Sequence, residues 1–206
     1  MQAITDLIMY FHKGGLVMWP LLACSITVIA IAIERFIYYK SVDSGAAFAS
    51  HYCAAVRSGD FAVATELARK GSGQCAQMLA DVEAVEGGKA EKSAFLESRA
   101  GIFMATLRDK LDYLGIIVTM SPLLGLLGTI VGMIGAFSIF NVEAGAPMAI
   151  TGGIGEALIA TATGLCVAIL SLCAHSYFAH RMDNMITDME QCFSALLEAE
   201  TRRGRS

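Results

Sequence analysis

No formally charged side chain occurs between Lys13 and Glu34, nor between Asp112 and Glu143. From Glu156 to Arg181 the only titratable groups are Cys166, Cys173, His175, Tyr177 and His180. Charged residues make up 17% of the 206-residue chain, against about a quarter in an ordinary soluble domain. Crossing a bilayer takes roughly 20 apolar residues in a helix, and each of the three gaps is long enough. A soluble reading would have to bury all three inside one 21.9 kDa domain. Three membrane helices are the better account.

Other absences narrow the function. There is no excess of positive charge: the net charge is −4 and the pI about 5.5, which gives no reason to expect nucleic acid. The six cysteines, at 24, 53, 75, 166, 173 and 192, form no CxxC pair and no metal-ligand spacing. Cys24, Cys166 and Cys173 fall in the apolar runs, where cysteine behaves as a small hydrophobe. All six are read as reduced. His175 and His180 would face different ways on a helix, which disfavours a metal site. The segment Met1 to His12 has no basic run, and no small-residue cleavage site precedes Glu34, so the first span is not expected to be a cleaved signal. Gly-x-Ser-x-Gly, His-Glu-x-x-His and Gly-x-x-x-x-Gly-Lys are all missing, as are paired intramembrane aspartates. No catalytic residue, metal or organic cofactor is expected, and any energy the chain handles must come from elsewhere.

What is present organises an all-α membrane protein with long helical extensions. Ile4, Leu7, Ile8 and Phe11 have helical apolar spacing, so residues 1–15 read as an interfacial helix ended by Gly14-Gly15. Transmembrane helix 1 is placed at 16–40, with Trp19 and the pair Tyr38 and Tyr39 suited to the two interfaces and Pro20 tolerated in the first turn. Residues 41–112 form a polar helical region broken at Gly71-Ser72-Gly73 and Gly87-Gly88. Its last helix carries Leu96, Ala100, Phe103, Leu107 and Leu111 on one stripe and is expected to run on into transmembrane helix 2, at 113–140. A short connection, 141–153, leads to transmembrane helix 3 at 154–178. The continuation, 179–206, carries Met182, Ile186, Met189, Phe193 and Leu196 at heptad-like spacing. The two stripes are expected to pack on each other rather than to form a partner groove. Arg35, Lys40, Arg99, Arg108, Lys110, Arg181, Arg202, Arg203 and Arg205 fall on one side of the spans and Lys13 alone on the other. The positive-inside rule then puts the N-terminus and short loop outside, and the long loop and C-terminus in the cytoplasm.

Within the spans a few residues could carry chemistry. Pro122, Gly125, Gly128, Gly132 and Gly135 recur along helix 2, and Gly164 lies in helix 3. Small residues let helix backbones approach in lipid, and close packing is the role expected of these glycines. Pro122 leaves the carbonyl of Val118 without its helical donor, so a kink or a bound water is expected. Thr129 could bond back to its own helix or line a polar path. Glu156 could be an intramembrane carboxylate on an ion path or a solvated residue in a first turn. At about 100° per residue, Glu156 and Thr163 share a face while Thr161 is displaced by about 140°. One straight helix cannot aim all three into one narrow lumen. Glu34 and Arg35, where helix 1 leaves the membrane, are read as an interfacial anchor, with pairing to another subunit as the alternative.

Three motifs in order resemble the MotA/TolQ/ExbB proton channel family, in its ExbB/TolQ form. They are Gly14-Gly15-Leu16-Val17-Met18-Trp19-Pro20 followed by Glu34-Arg35, Pro122 to Ile134 with Gly125, Gly128, Thr129 and Gly132, and Glu156 to Leu165 with Thr161 and Gly164. With the long loop between the first two spans, the resemblance covers nearly the whole chain. It implies a homopentamer in the bacterial inner membrane whose second and third helices line a pore. That pore would hold an ExbD/TolR-like partner with a single helix and a membrane aspartate. Protons would drive the motor, energising a TonB-like protein in the ExbB branch or a TolA-like protein in the TolQ branch. Thr129, Thr161 and Glu156 are the polar pore residues by motif. The opening Gly-Gly motif leans to the ExbB branch. Sodium stays open beside the proton. MotA-type chains have four membrane helices, so the flagellar form fits poorly. A static membrane scaffold remains the alternative from a different class.

Overall fold

The computed structural model describes residues 11, 14–142 and 147–203, with side chains at all of these except 138–150 and 203. Most of the expected interfacial helix at 1–15, and residues 143–146 of the connection, therefore lie outside the described residues. Every regular element among the described residues is helical. In chain order they are α1 (Met18–Val42), α2 (Ala46–Arg57), α3 (Phe61–Lys70), α4 (Gln74–Asp81), a single 3₁₀ turn (Val82–Ala84), α5 (Lys89–Val142) and α6 (Pro147–Arg203). Three of these, α1, α5 and α6, contain a stretch long and apolar enough to cross a membrane. The chain forms two compact units: Met1–Ile33 with Leu111–Ser176, and Glu34–Lys110 with Tyr177–Ser206.

The first unit contains the apolar stretches, and its outward positions are apolar. Leu16 just before α1 and Trp19, Ile26, Ile29 and Ile33 of α1 are exposed, as are Leu123, Leu126, Ile134 and Phe137 of α5 and Leu158, Ile169 and Leu170 of α6. An apolar exterior of this kind is solvated by lipid or covered by neighbouring chains, since water would leave it unstable. From Ser121 onward the inward positions of α5 are small, namely Ser121, Gly125, Gly128, Gly132 and Ala136, after the larger Leu111, Leu114 and Ile117; along α6 they are Ala157, Ala160, Gly164, Val167, Ala168 and Ser171. Spacings of three and four place each set on one helical face.

The second unit is built from larger side chains and polar ties. The buried positions on α5 are Leu96, Phe103 and Leu107, and those on α6 are Phe178, Met182, Met185, Met189, Cys192, Ala195 and Ala199. The α6 seam thus differs from the heptad stripe in the sequence. Ile186, Phe193 and Leu196 are only partly buried, and Met185 and Cys192 take the inner positions. The short helices are stopped and started by local chemistry. Asp60 caps α3 by accepting from the Val63 N–H at 3.2 Å, and Arg69 and Lys70 occupy its last turn. Gly73 takes φ +89° before α4, and a Cβ there would lie 2.6 Å from the backbone N of Ser44, so only glycine fits. Polar contacts tie distant segments. Tyr39 donates to the Leu107 carbonyl at 3.1 Å, Lys92 meets Glu200 at 2.8 Å, and Arg181 meets Asp43 at 2.5 Å. Cys53, Cys75 and Cys192 are buried free thiols, with 4.0 Å between the sulfurs of Cys53 and Cys192.

Candidate ion-path site

Close approach of α5 and α6 in the first unit comes directly from missing side chains. A Cβ on Gly164 would lie 2.5 Å from the Ser121 carbonyl oxygen and 3.1 Å from Gly125 Cα. One on Gly128 would lie 2.5 Å from the Cβ of Ala160, and one on Gly132 would lie 3.0 Å from the Gly153 carbonyl oxygen. Gly125 faces Thr161, whose Cα would be 3.1 Å from an added Cβ. Lipid supplies no hydrophobic drive to bring helices together, so dispersion contacts between such backbones and a few hydrogen bonds must do it. Gly135 lies outside the seam, with open space where its Cβ would be. The helical assignment of α5 continues without a break through Pro122.

The threonines divide into two kinds. Thr161 lies in the seam: its hydroxyl is 3.2 Å from the carbonyl of Gly125 across the helix pair and 3.1 Å from that of Ala157 in its own helix. Its single proton is shared between two acceptors, one of them intrahelical. Thr129 donates to the Leu126 carbonyl at 2.7 Å, and Thr163 to the Ile159 carbonyl at 2.8 Å; both are intrahelical bonds. Ser171 makes a second cross-helix bond, to the Leu114 carbonyl at 2.9 Å. Sequence reasoning did not single it out, because a serine in an apolar run looks the same whether it bonds to its own helix or to the next.

Glu156 points elsewhere. Its carboxylate lies against the Gly14–Gly15 turn that precedes α1, so closely that a Cβ on Gly15 would overlap Oε1. Gly15 has φ +71°, a conformation that glycine alone takes without strain. The carboxylate is half-buried, and no hydrogen bond or ion pair to it occurs among the described residues. The roughly 140° between Glu156 and Thr161 on the helix is thus used in full: Thr161 meets α5 and Glu156 meets the start of α1. Thr129, Thr161 and Glu156 all belong to the first unit, yet they do not form one cluster.

Glu34 and Arg35 belong to the second unit. Arg35 is 4% exposed. Its guanidinium grips the Glu34 carboxylate at 2.7 and 2.9 Å, donates to the Thr106 carbonyl at 3.0 Å, and lies over the Tyr38 ring at 4.7 Å. A planar fork of donors can make these contacts together, which lysine could not. The bond to Thr106 joins α1 to α5 within that unit, while the two to Glu34 fix the guanidinium on α1.

Among the described residues, no group of three or more His, Cys, Asp or Glu is placed to hold a metal ion. The chemistry on offer among the described residues is a carboxylate at a membrane helix, the hydroxyls of Thr129, Thr161, Thr163 and Ser171, and a tightly packed glycine seam.

The model of the MotA/TolQ/ExbB proton channel family matches residues 68–191. A Synechocystis protein named "Putative biopolymer transport protein ExbB-like 3" is 32% identical over 164 residues, covering 77% of this chain and 78% of its own length. The Vibrio cholerae "Biopolymer transport protein exbB1" is 27% identical over 183 residues, covering 85% of this chain and 80% of that one. The Pseudomonas aeruginosa "Tol-Pal system protein TolQ" is 36% identical over 81 residues, covering 39% of this chain and 35% of that one. This multi-pass, all-helical chain therefore belongs to the MotA/TolQ/ExbB proton channel family.

Proposed function

We propose that this chain is the channel-forming subunit of an ion-driven motor in the bacterial inner membrane, of the ExbB branch. The observation that carries the reading is Glu156: a half-buried carboxylate at an apolar helix, with no partner in its own chain among the described residues. Placing an unpaired charge near lipid costs several kcal/mol by most measures, about 3 on insertion scales. Such a cost is tolerated where another molecule supplies the partner. An ExbD/TolR-like helix carrying an aspartate is the partner proposed here; two carboxylates repel, so the pair would hold the coupling ion between them, a proton or alternatively a sodium ion.

The energy source is the transmembrane gradient, whose electrical part is worth about 2.3 kcal/mol per charge per 100 mV. Several copies of this chain, five in the proposed assembly, surround the partner's helix. The exposed apolar faces of α1, α5 and α6 leave room for both lipid and neighbouring copies. The N-terminus and short loop face the periplasm, and the cation-rich second unit faces the cytoplasm. The work is delivered to a TonB-like protein for transport across the outer membrane. The ExbB branch is favoured over TolQ because the likeness to transport-named relatives extends over most of the chain, whereas the TolQ likeness covers 39% of it.

One observation favours the scaffold alternative. The hydroxyls of Thr129 and Thr161 are both satisfied within the chain, as pure packing would require. The two readings separate in a reconstituted complex with the partner, assayed for ion-driven activity with and without a protonophore and with sodium replaced by choline. Glu156→Gln abolishes coupling if the carboxylate is on the path. A Glu156→Gln complex that assembles and works at the wild-type rate would leave the scaffold as the better account.

A further inference from the structure

Gly15 is held at a junction of three helices in the first unit. The turn before α1 closes with the Gly14 N–H donating to the Phe11 carbonyl at 3.3 Å. Behind it, Val17, Met18 and Leu21 form one buried cluster, with Phe11 and Leu124 of α5 packed against them. Phe11 also meets Trp19 edge to face at 5.2 Å. Val17 lies 3.7 Å from where a Cβ on Gly128 of α5 would be, and Ile159 of α6 lies 3.2 Å from where one on Gly14 would be. Apolar contacts thus pin the turn from both neighbouring helices, and it cannot withdraw without opening a cavity.

The backbone of α6 is fixed just as firmly around Glu156. Ala157 and Ala160 are buried and fill the space over Gly132 and Gly128 of α5. Of the groups that meet at Gly15, only the Glu156 side chain has free torsions. A methyl on Gly15 would overlap Oε1 and lie 2.8 Å from Cδ and 3.3 Å from Cγ. Such a clash, with the far end of a flexible side chain, is relieved by turning the carboxylate into another rotamer. A side chain at position 15 would therefore move the carboxylate and leave both helices where they are.

We infer that Gly15 is a positioning residue for Glu156: bare backbone at this point gives the carboxylate its place, so the start of α1 joins α5 and α6 in shaping this end of the ion path. The bearing on ion coupling rests on the role proposed above for Glu156, whereas the placement rests on geometry alone. Backbone conformation by itself accounts for a glycine here but not for the contact. Gly45, at φ +81°, has the same need for glycine as Gly15 at φ +71°, yet nothing lies within 4 Å of its Cβ position. Alanine at either position meets the same backbone strain, so the difference between the two isolates the contact with Glu156.

Carbodiimide coupling of an amine to residue 156 of the full-length protein in bilayers, followed by peptide mass spectrometry, reads the placement whether or not the carboxylate carries ions. Gly15→Ala is expected to change the labelling rate severalfold, and Gly45→Ala to leave it at the wild-type value. In the Glu156→Asp background Gly15→Ala should matter little. The shorter side chain ends its carboxyl carbon near the Cγ position, 3.3 Å from the methyl rather than 2.8 Å, so the two substitutions are not additive. Ion-driven activity of the reconstituted complex is read in parallel. Gly15→Ala should lower it on the order of tenfold or more, since a misplacement of about 1 Å can cost about a hundredfold, and Gly45→Ala should not. Changed labelling with wild-type activity would uphold the positioning and count against the ion-path role of Glu156. Equal labelling of the wild type, Gly15→Ala and Gly45→Ala would overturn the inference, and so would a Gly15→Ala effect of the same size in both backgrounds.

Discussion

The helices α5 and α6 are each long enough to belong to both compact units, and their inward faces change character along the way. On α5 the buried positions run Leu96, Phe103, Leu107, Leu111, Leu114 and Ile117, and then Ser121, Gly125, Gly128, Gly132 and Ala136. The helical phase is unbroken, while residue size falls at Ser121. On α6 the same contrast appears in reverse, from Ala157, Ala160 and Gly164 to Phe178, Met182, Met185 and Met189. The solvent accounts for the difference. Water rewards burying large apolar side chains, at roughly 25 cal/mol per Å². Lipid gives no such reward, so helices gain only from close contact, and bulk on the inner face would keep the backbones apart.

If that comparison is right, truncation should hurt the large-residue stretches and enlargement the small-residue ones. The largest effect is expected for Leu107→Ala. Leu107 is fully buried in the second unit, and its loss should cost about 2–5 kcal/mol in chemical unfolding of the purified protein. Leu126→Ala, at an outward position of the first unit, should cost far less in the same assay if that face meets only lipid. Next comes Gly164→Ala, which drives a methyl into the Ser121 carbonyl and should cost about 1–3 kcal/mol. Gly135→Ala is its control, because open space surrounds that position. A smaller effect of opposite sign is expected for Gly101→Ala, since a Cβ there meets nothing. It should stabilise the polar part of α5 by about 0.5–1 kcal/mol, seen as a raised unfolding midpoint. The smallest is Thr161→Val, which removes the bond to Gly125 and should cost about 0.6 kcal/mol, the average for interhelical hydrogen bonds in membranes. A Thr161→Val variant that keeps its stability but loses ion-driven activity would give the hydroxyl a role beyond packing.

Ser121, where the two packing styles meet, is an instructive exception. It is fully buried, and its hydroxyl has no partner among the described residues. An orphaned buried hydroxyl costs about 1–3 kcal/mol. Ser121→Ala should therefore be neutral or stabilising.

The three spans could be read from gaps between charges, because lipid excludes charge whatever the tertiary structure. The glycine seam could be read from spacing, because helical phase is a local property. Contacts between distant positions could not. Arg35 looks like any cation at a span's end, and only the structure shows its donors spent on Glu34 and Thr106. Glu156 and Gly15 lie far apart in sequence, and helical phase states which way a side chain points but not what it meets. The α6 seam shows the same limit. A heptad reading chose Ile186 and Phe193 on hydrophobicity, whereas the buried positions are Met185 and Cys192.

The central claim is that this chain surrounds a partner helix that supplies what Glu156 lacks. Co-purification with the product of a neighbouring single-helix gene, followed by native mass spectrometry, tests it most directly. The account predicts a complex of several copies of this chain around fewer copies of an aspartate-bearing helix. A homo-oligomer that never retains such a partner would contradict it.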